Sequence, residues 1–333
     1  MAALTTTNPT LLDLANAVDP RGDIAPVVEI LSQSNEMLAD MTWIEGNLPT
    51  GHQTTIRTGL PSATWRKLYG GVQPSKARTT RITDNCGMLE AYAEIDKALA
   101  DLNNQSAAWM MQEESAFREA LNQEVQSTLV YGDEGTEQEA FTGFAPRYNS
   151  LSAENAQNII VGGGSGTDNA SIFLVYWHPA QVHGIVPKGS TAGLQRRFMG
   201  EVTIENVDGS NGRMQAYRTH YRWDAGLTVR DWRSVVRICN IDKSLLTVNM
   251  STGADLADLM FQAIEVVPKG AALGRPAFYM SRQVMTMLRR QLSNKVGNST
   301  LEISNVGGTR VYEFQGIPLR RVDCMAADEA VVA

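Results

Sequence analysis

An α+β fold is what this sequence predicts, and three observations carry that prediction. Apolar residues recur at helical spacing through a long stretch ending at Tyr131. Thr-rich and β-branched segments before it read as two extended strands joined near "GGVQPS". After it, "RMQAYRTHYRW" alternates strictly, with Tyr217, Thr219, Tyr221 and Trp223 on one side and Arg218, His220 and Arg222 on the other.

Composition bounds the answer. The chain has 333 residues and is 43% hydrophobic, enough for one large domain or two ordinary ones. It is 20% charged with a net charge of −7, which excludes a disordered chain. No apolar run approaches the roughly 20 residues needed to span a bilayer. The opening "MAALTTTNPTLLDLANAVD" lacks the basic and apolar regions of a signal peptide. Cys86, Cys239 and Cys324 lie far apart with no C-x-x-C pair. They predict neither a disulfide framework nor a zinc site, and a reducing compartment. The pI of about 5.2 argues against a protein whose main task is gripping DNA.

Charge is unevenly placed. No acidic residue stands between Glu45 and Asp84, whereas Arg57, Arg66, Lys67, Lys76, Arg78 and Arg81 do. Without these six the chain keeps 23 basic residues against 36 acidic ones, a net −13. A basic segment belongs to an acidic body.

The elements follow in order. The first forty residues read as an arm, with a short helix in "TLLDLANAVD" capped by Thr10. Val27, Leu31, Leu38 and Met41 have helical spacing. The segments "HQTTIRTGLPSATWRKLYGG" and "KARTTRITDNCGMLEAYAEID" then make the basic hairpin. Few of its residues are apolar, so it needs another surface to lie on. The long helix starts at Ser106 as cap and stops at Gly132, about 38 Å in all. Met110, Phe117, Leu121, Val125 and Leu129 form its apolar stripe, with Glu113, Arg118, Glu119 and Gln126 largely off it. The strands "NIIV" and "SIFLVYW" flank a glycine run, and "EVTIENV" pairs with the alternating segment. "DAGLTVRDWRSVVRICNID" adds turns and a strand. Two helices follow, one on Leu256, Met260, Ala263 and Val267 before Pro268, one on Val284, Leu288 and Leu292 with Ser281 as cap and Gly297 as stop. "TRVYEFQGIPLRRVD" closes the chain as two short strands around Gly316-Ile317-Pro318.

No motif carries chemistry. "VGGGSG" offers Thr167 where a P-loop or dinucleotide fingerprint needs glycine, no Lys follows, and a strand follows instead of a helix. The loop reads as a strand connection, and a nucleotide-dependent enzyme using Gly162–Gly166 is the rival reading. His52, His178, His183 and His220 have no metal-ligand spacing, and Asp133, Glu134, Glu137 and Glu139 lack the order of an EF-hand loop. Arg21-Gly22-Asp23 is a chance tripeptide. No nucleophile, base and orienting group stand together, so no enzyme and no cofactor are expected. "ATWRKLY" interleaves aromatic and basic residues, which suits either single-stranded nucleic acid or an acidic neighbouring copy. Self-association is favoured, because every copy carries the acidic partner.

The order of segments resembles that of a known family. "AYAEIDKALADLNNQSAAWMMQEESAFREALNQEVQSTLVYGD" resembles the hairpin return strand and spine helix of tailed-phage major capsid proteins of the Hong Kong 97-type fold. "FTGFAPRYNSLSAENAQNIIVGGGSGTDNASIFLVYWHPAQVHGIVPKGSTAGL", "YRWDAGLTVRDWRSVVRICNID" and "GIPLRRVD" resemble later segments of the same family. The set looks most like short-tailed phage capsid proteins of the Bordetella phage kind, a branch with a permuted version of the fold. The resemblance implies an arm at 1–45, an extended loop at 46–95, and a peripheral domain at 96–240 with a spine helix at 104–131 and a long sheet. It implies an axial domain and C-terminal strands at 241–333, to which part of 140–200 contributes. It further implies hexamers and pentamers forming an icosahedral virion shell around double-stranded DNA, assembled in the bacterial cytoplasm. Scaffold, portal and cement proteins are the other implied partners, with no membrane. The six cations become contacts of the extended loop with a neighbouring copy.

Overall fold

A computed structural model describes residues 33, 35–101, 106–205, 212–294, 301–306, 309–326 and 328–333. The helix capped by Thr10, the Arg21–Asp23 tripeptide, residues 104–105, the turn at 206–211 and the stop at Gly297 lie outside the described residues.

In chain order the strands before the long helix are β1 (Trp43–Glu45), β2 (Gly51–Gly59) and β3 (Arg78–Asp96). Helix α1 (Ser106–Tyr131) follows. Then come β4 (Ile159–Val161), β5 (Asn169–Trp177), β6 (Val182–Val186), β7 (Gln195–Glu205), β8 (Arg213–Val229) and β9 (Val235–Asp242). The chain ends with α2 (Leu256–Val266), β10 (Arg275–Met280), α3 (Arg282–Asn294), β11 (Leu301–Val306), β12 (Thr309–Phe314) and β13 (Ile317–Arg321). Two compact units divide these elements. The larger holds 34–87, 126–192 and 225–333, and the smaller includes 88–125 and 193–224.

The larger unit is built on β5, which is buried at every position. Strand β5 pairs antiparallel with β10 on one side and β9 on the other. The order runs β11-β12-β13-β10-β5-β9-β4. Ile172 and Leu174 face α2 and α3, packing with Met260, Val284, Leu288, Phe278 and Phe314. Each such fully buried side chain contributes about 1.5–3 kcal/mol. Phe173 and Trp177 face the other way onto Phe144, with ring centroids 5.9 Å apart in both pairs. Asp255 caps α2 through the Asp258 N–H, and Ser281 Oγ accepts from Val284 N at 3.5 Å at the start of α3. The last hairpin turns at Gln315-Gly316, both with positive φ (52° and 75°), which suits a two-residue hairpin loop. Ile317 and Pro318 already belong to β13, so the turn comes one residue earlier than the sequence suggested.

Three expectations need correcting. The helix predicted over 27–41 is reduced, among described residues, to one turn at Met37–Asp40, where Met37 and Met41 are buried and Leu38 is not. Its continuation is β1, parallel to Gly184–Val186 of β6. The first hairpin strand is shorter than predicted. Pairing stops at Gly59 opposite Arg78, and the connection between them, which begins Leu60-Pro61, carries no strand. Gln126 is not an outward residue of α1. It is fully buried, and its Nε2 donates to the Asn35 carbonyl at 3.3 Å.

The smaller unit packs the first part of α1 against strand residues. Leu121 meets Ala93 and Tyr221 in one cluster, with Phe117 partly buried beside them. Met110 joins a second cluster around Ile95 and Leu99. The alternation along β8 holds, since Thr219 and Tyr221 are buried. Opposite them, Arg218 pairs with Glu94 at 2.5 Å and His220 lies 3.2 Å from Glu90. Glu114 is buried on α1 and takes two bonds from Arg196, at 2.7 and 2.9 Å, and one from Thr219 at 2.8 Å. Burial pushes its carboxyl up, but these partners more than offset it and leave the pKa below the ordinary value.

Candidate assembly surface

The basic hairpin is anchored at its base and bare beyond it. At the base Thr54 and Asp84 are buried. Arg147 Nη2 donates to Asp84 Oδ1 at 2.9 Å and to the Leu227 carbonyl at 3.1 Å. Burial raises the Asp84 pKa, and Arg147 pulls it back in part. His52 on β2 meets His183 on β6 edge to face, centroids 5.8 Å apart. Burial and Arg230 lower both imidazoles, and His52 adds to the effect on His183, which falls to about 4. The base is thus seated on neutral rings and one ion pair.

All six predicted contact residues are exposed. Arg57 on β2 and Arg78 and Arg81 on β3 lie along the ladder, with Thr79 opposite Arg57, Gly59 opposite Arg78 and Thr55 opposite Arg81, so that Arg57 and Arg81 share a face and Arg78 points to the other. Arg66 and Lys67 sit at the tip, where Gly70 N donates to the Lys67 carbonyl at 3.0 Å. Lys76 lies on the return. None of the six pairs with a carboxylate among the described residues. The ladder and the tip are separate groups, so the six do not form one patch.

Sequence reasoning underweighted the tip's apolar side chains. Trp65 and Tyr69 are fully exposed and Leu68 is 90% exposed. The interleaving in "ATWRKLY" was their only signal. Large side chains bared together mark a contact surface. Burial on a partner would contribute about 1.5–3 kcal/mol for each. Beside the ladder runs an open groove of about 910 Å³, lined by Arg57, Leu60, Ile82, Arg230, Trp232 and Leu273 among others.

The glycine run behaves as a strand connection. Gly162 N donates to the Cys239 carbonyl and Gly164 N to the Asn240 carbonyl, both at 2.8 Å, extending the β4–β9 pairing. These amides are already engaged and cannot cradle a phosphate. A Cβ at Gly164 would stand 2.7 Å from Asn240 O, so only glycine passes this close to β9.

The family model described as major capsid protein GP7 matches residues 19–333. The chain belongs to that family. A solved structure of bacteriophage Epsilon15 is 35% identical, covers 100% of both chains and superposes with a TM-score of 0.79. The bacteriophage JBD30 capsid matches 97% of this chain and 96% of its own at 9% identity and a TM-score of 0.48. No curated protein sequence matches the chain. This capsid protein therefore has the mixed α+β fold of phage capsid proteins of the Hong Kong 97 type, and it forms shells. Neither the nucleotide-enzyme reading nor the nucleic-acid-module reading finds support.

Proposed function

We propose that the capsid protein assembles into hexamers and pentamers of an icosahedral head, and that the basic hairpin lies on the acidic body of a neighbouring copy. The observation that carries this is the hairpin itself. Its six cations are exposed and unpaired with carboxylates among the described residues, on a chain otherwise at −13. A basic arm on an acidic neighbour is a heterologous contact, which closes into rings when the rotation permits. In this reading residues 46–95 are the extended loop, 96–240 the peripheral domain and 241–333 the axial domain, with 140–200 contributing. Residues 1–45 are the arm. Double-stranded DNA fills the head without sequence-specific contacts, since a negative wall repels phosphate. Assembly takes place in the host cytoplasm with scaffold, portal and cement proteins as further partners, and the shell subunit has no catalytic task. The likeness of the quoted segments to short-tailed phage capsid proteins of the Bordetella phage kind supports a place in that branch.

The test is a triple reversal, Arg66→Glu, Lys67→Glu and Arg78→Glu. Exposed pairs give about 0.2–1 kcal/mol each and are screened by salt, so single changes pass unnoticed. Three reversals repeated around a ring stop assembly at low salt, while circular dichroism of the unassembled chain stays unchanged. Normal shells from this variant contradict an electrostatic arm. Loss of the folded chain means that the hairpin belongs to the core.

A further inference from the structure

Helices α2 and α3 pack on the same face of the central sheet and bury their apolar sides in one core. Their outward faces carry opposite charge. From its cap onward α2 holds Asp255, Asp258 and Glu265 and no basic residue; Asp258, Gln262 and Glu265 are exposed at i, i+4 and i+7. Helix α3 holds Arg282, Arg289 and Arg290 and no acidic residue; Arg282, Thr286, Arg289 and Ser293 form its exposed stripe, with Arg290 beside it. Arg282 is engaged by Asp323 at 3.1 Å. Arg289 lies over the Tyr312 ring, 4.4 Å from its centroid, and Arg290 Nη1 donates to the Met287 sulfur at 3.6 Å. Neither has a carboxylate partner, and no ion pair links Asp258 or Glu265 to α3, among the described residues. An open groove of about 560 Å³ runs along this basic stripe, lined by Val248, Thr286, Arg289, Arg290, Ser293 and Asn294.

The two faces belong to neighbouring helices that pack against each other on the same side of the sheet. Helix α2 packs over β9 and the edge strand β4. Arg289 of α3 reaches β12, toward the other edge. An acidic helix face and a basic helix face on one molecule, unpaired with each other among the described residues, match a head-to-tail contact between copies, the kind that closes rings. We infer that the basic face of α3 docks on the acidic face of α2 of a second copy, a contact separate from the hairpin. It rests on the shell reading above.

A charge-swap experiment tests it. One variant carries Arg289→Glu and Arg290→Glu, a second Asp258→Lys and Glu265→Lys, and a third all four. Each exposed pair shifts an equilibrium by about 1.4- to 5-fold. Either double variant turns attraction into repulsion at every ring contact, and particle yield at low salt falls about ten-fold or more. The four-fold variant restores opposite charges and recovers yield. Mixed with wild type, it sorts into separate particles, because both mixed contacts pair like charges. Far-ultraviolet circular dichroism of the unassembled chains stays the same throughout. Double variants that assemble normally beside assembling wild type overturn the inference alone. So does a folded four-fold variant without recovered yield, or an α3 variant that assembles normally and loses only retained DNA. Wild type that forms no rings overturns the shell reading and this inference with it.

Discussion

Arg237 sits in a buried polar cluster that ties the C-terminal residues to the sheet. Its Nη2 donates to Glu329 Oε2 at 2.7 Å, and its Nη1 donates to the Ala145 and Tyr148 carbonyls at 3.1 and 2.9 Å. Its Nε donates to Ser171 Oγ at 3.1 Å, and the Tyr131 hydroxyl donates to Glu329 Oε1 at 2.7 Å. A few residues on, Asn240 and Val332 exchange two bonds at 2.9 Å. A paired buried charge contributes little net stability, but half a pair is costly. Glu329→Ala leaves the guanidinium buried without its carboxylate and should destabilise the unassembled chain by about 3–5 kcal/mol. Arg237→Met with Glu329→Leu should recover most of that. Urea unfolding measures both; a loss below about 1 kcal/mol for Glu329→Ala contradicts the role given to this pair. Nothing in the sequence announced the cluster, because Arg237 and Glu329 are 92 positions apart and each alone reads as a surface charge.

The hairpin and the long helix were the most legible elements, for a physical reason. Their signals are local: period 3.6 along α1, and the absence of acid with abundant Thr and Arg from Gly46 to Thr83. Strand β1 was illegible, since Trp43–Glu45 is a strand only by pairing with Gly184–Val186 far along the chain. Gln126 misled because its burial depends on Asn35, a partner outside the helical pattern. At the candidate site the six cations could be read from sequence. That they divide into a ladder group and a tip group depends on where pairing ends, at Gly59 opposite Arg78. The seat of the hairpin also predicts a pH dependence. His183 is buried in β6 beside His52, His178 and Arg230, and its pKa is lowered from 6.5 to about 4. Between those values the unfolded chain binds a proton that the folded chain refuses. Its contribution is complete above about pH 6.5 and is lost as pH falls toward 4. At pH 5 this loss is about 2 kcal/mol. His183→Gln should flatten that part of the decline. Urea midpoints at pH 7 and pH 5 compare the two chains; equal drops contradict a buried neutral imidazole.

At the scale of the molecule, the charge distribution carries the functional argument. An acidic body exposes a basic hairpin with a bare aromatic tip, on a fold shared with a bacteriophage Epsilon15 structure at 35% identity. Individual exposed pairs are weak, so the proposed hairpin contact requires their repetition around a ring. The central claim is that these surfaces build a closed head. Electron microscopy of the purified chain, alone and with its scaffold, tests it most directly. The account predicts rings of five and six copies and closed shells, with the tip of each hairpin on an adjacent copy. A chain that stays monomeric at high concentration with all its phage partners present contradicts it.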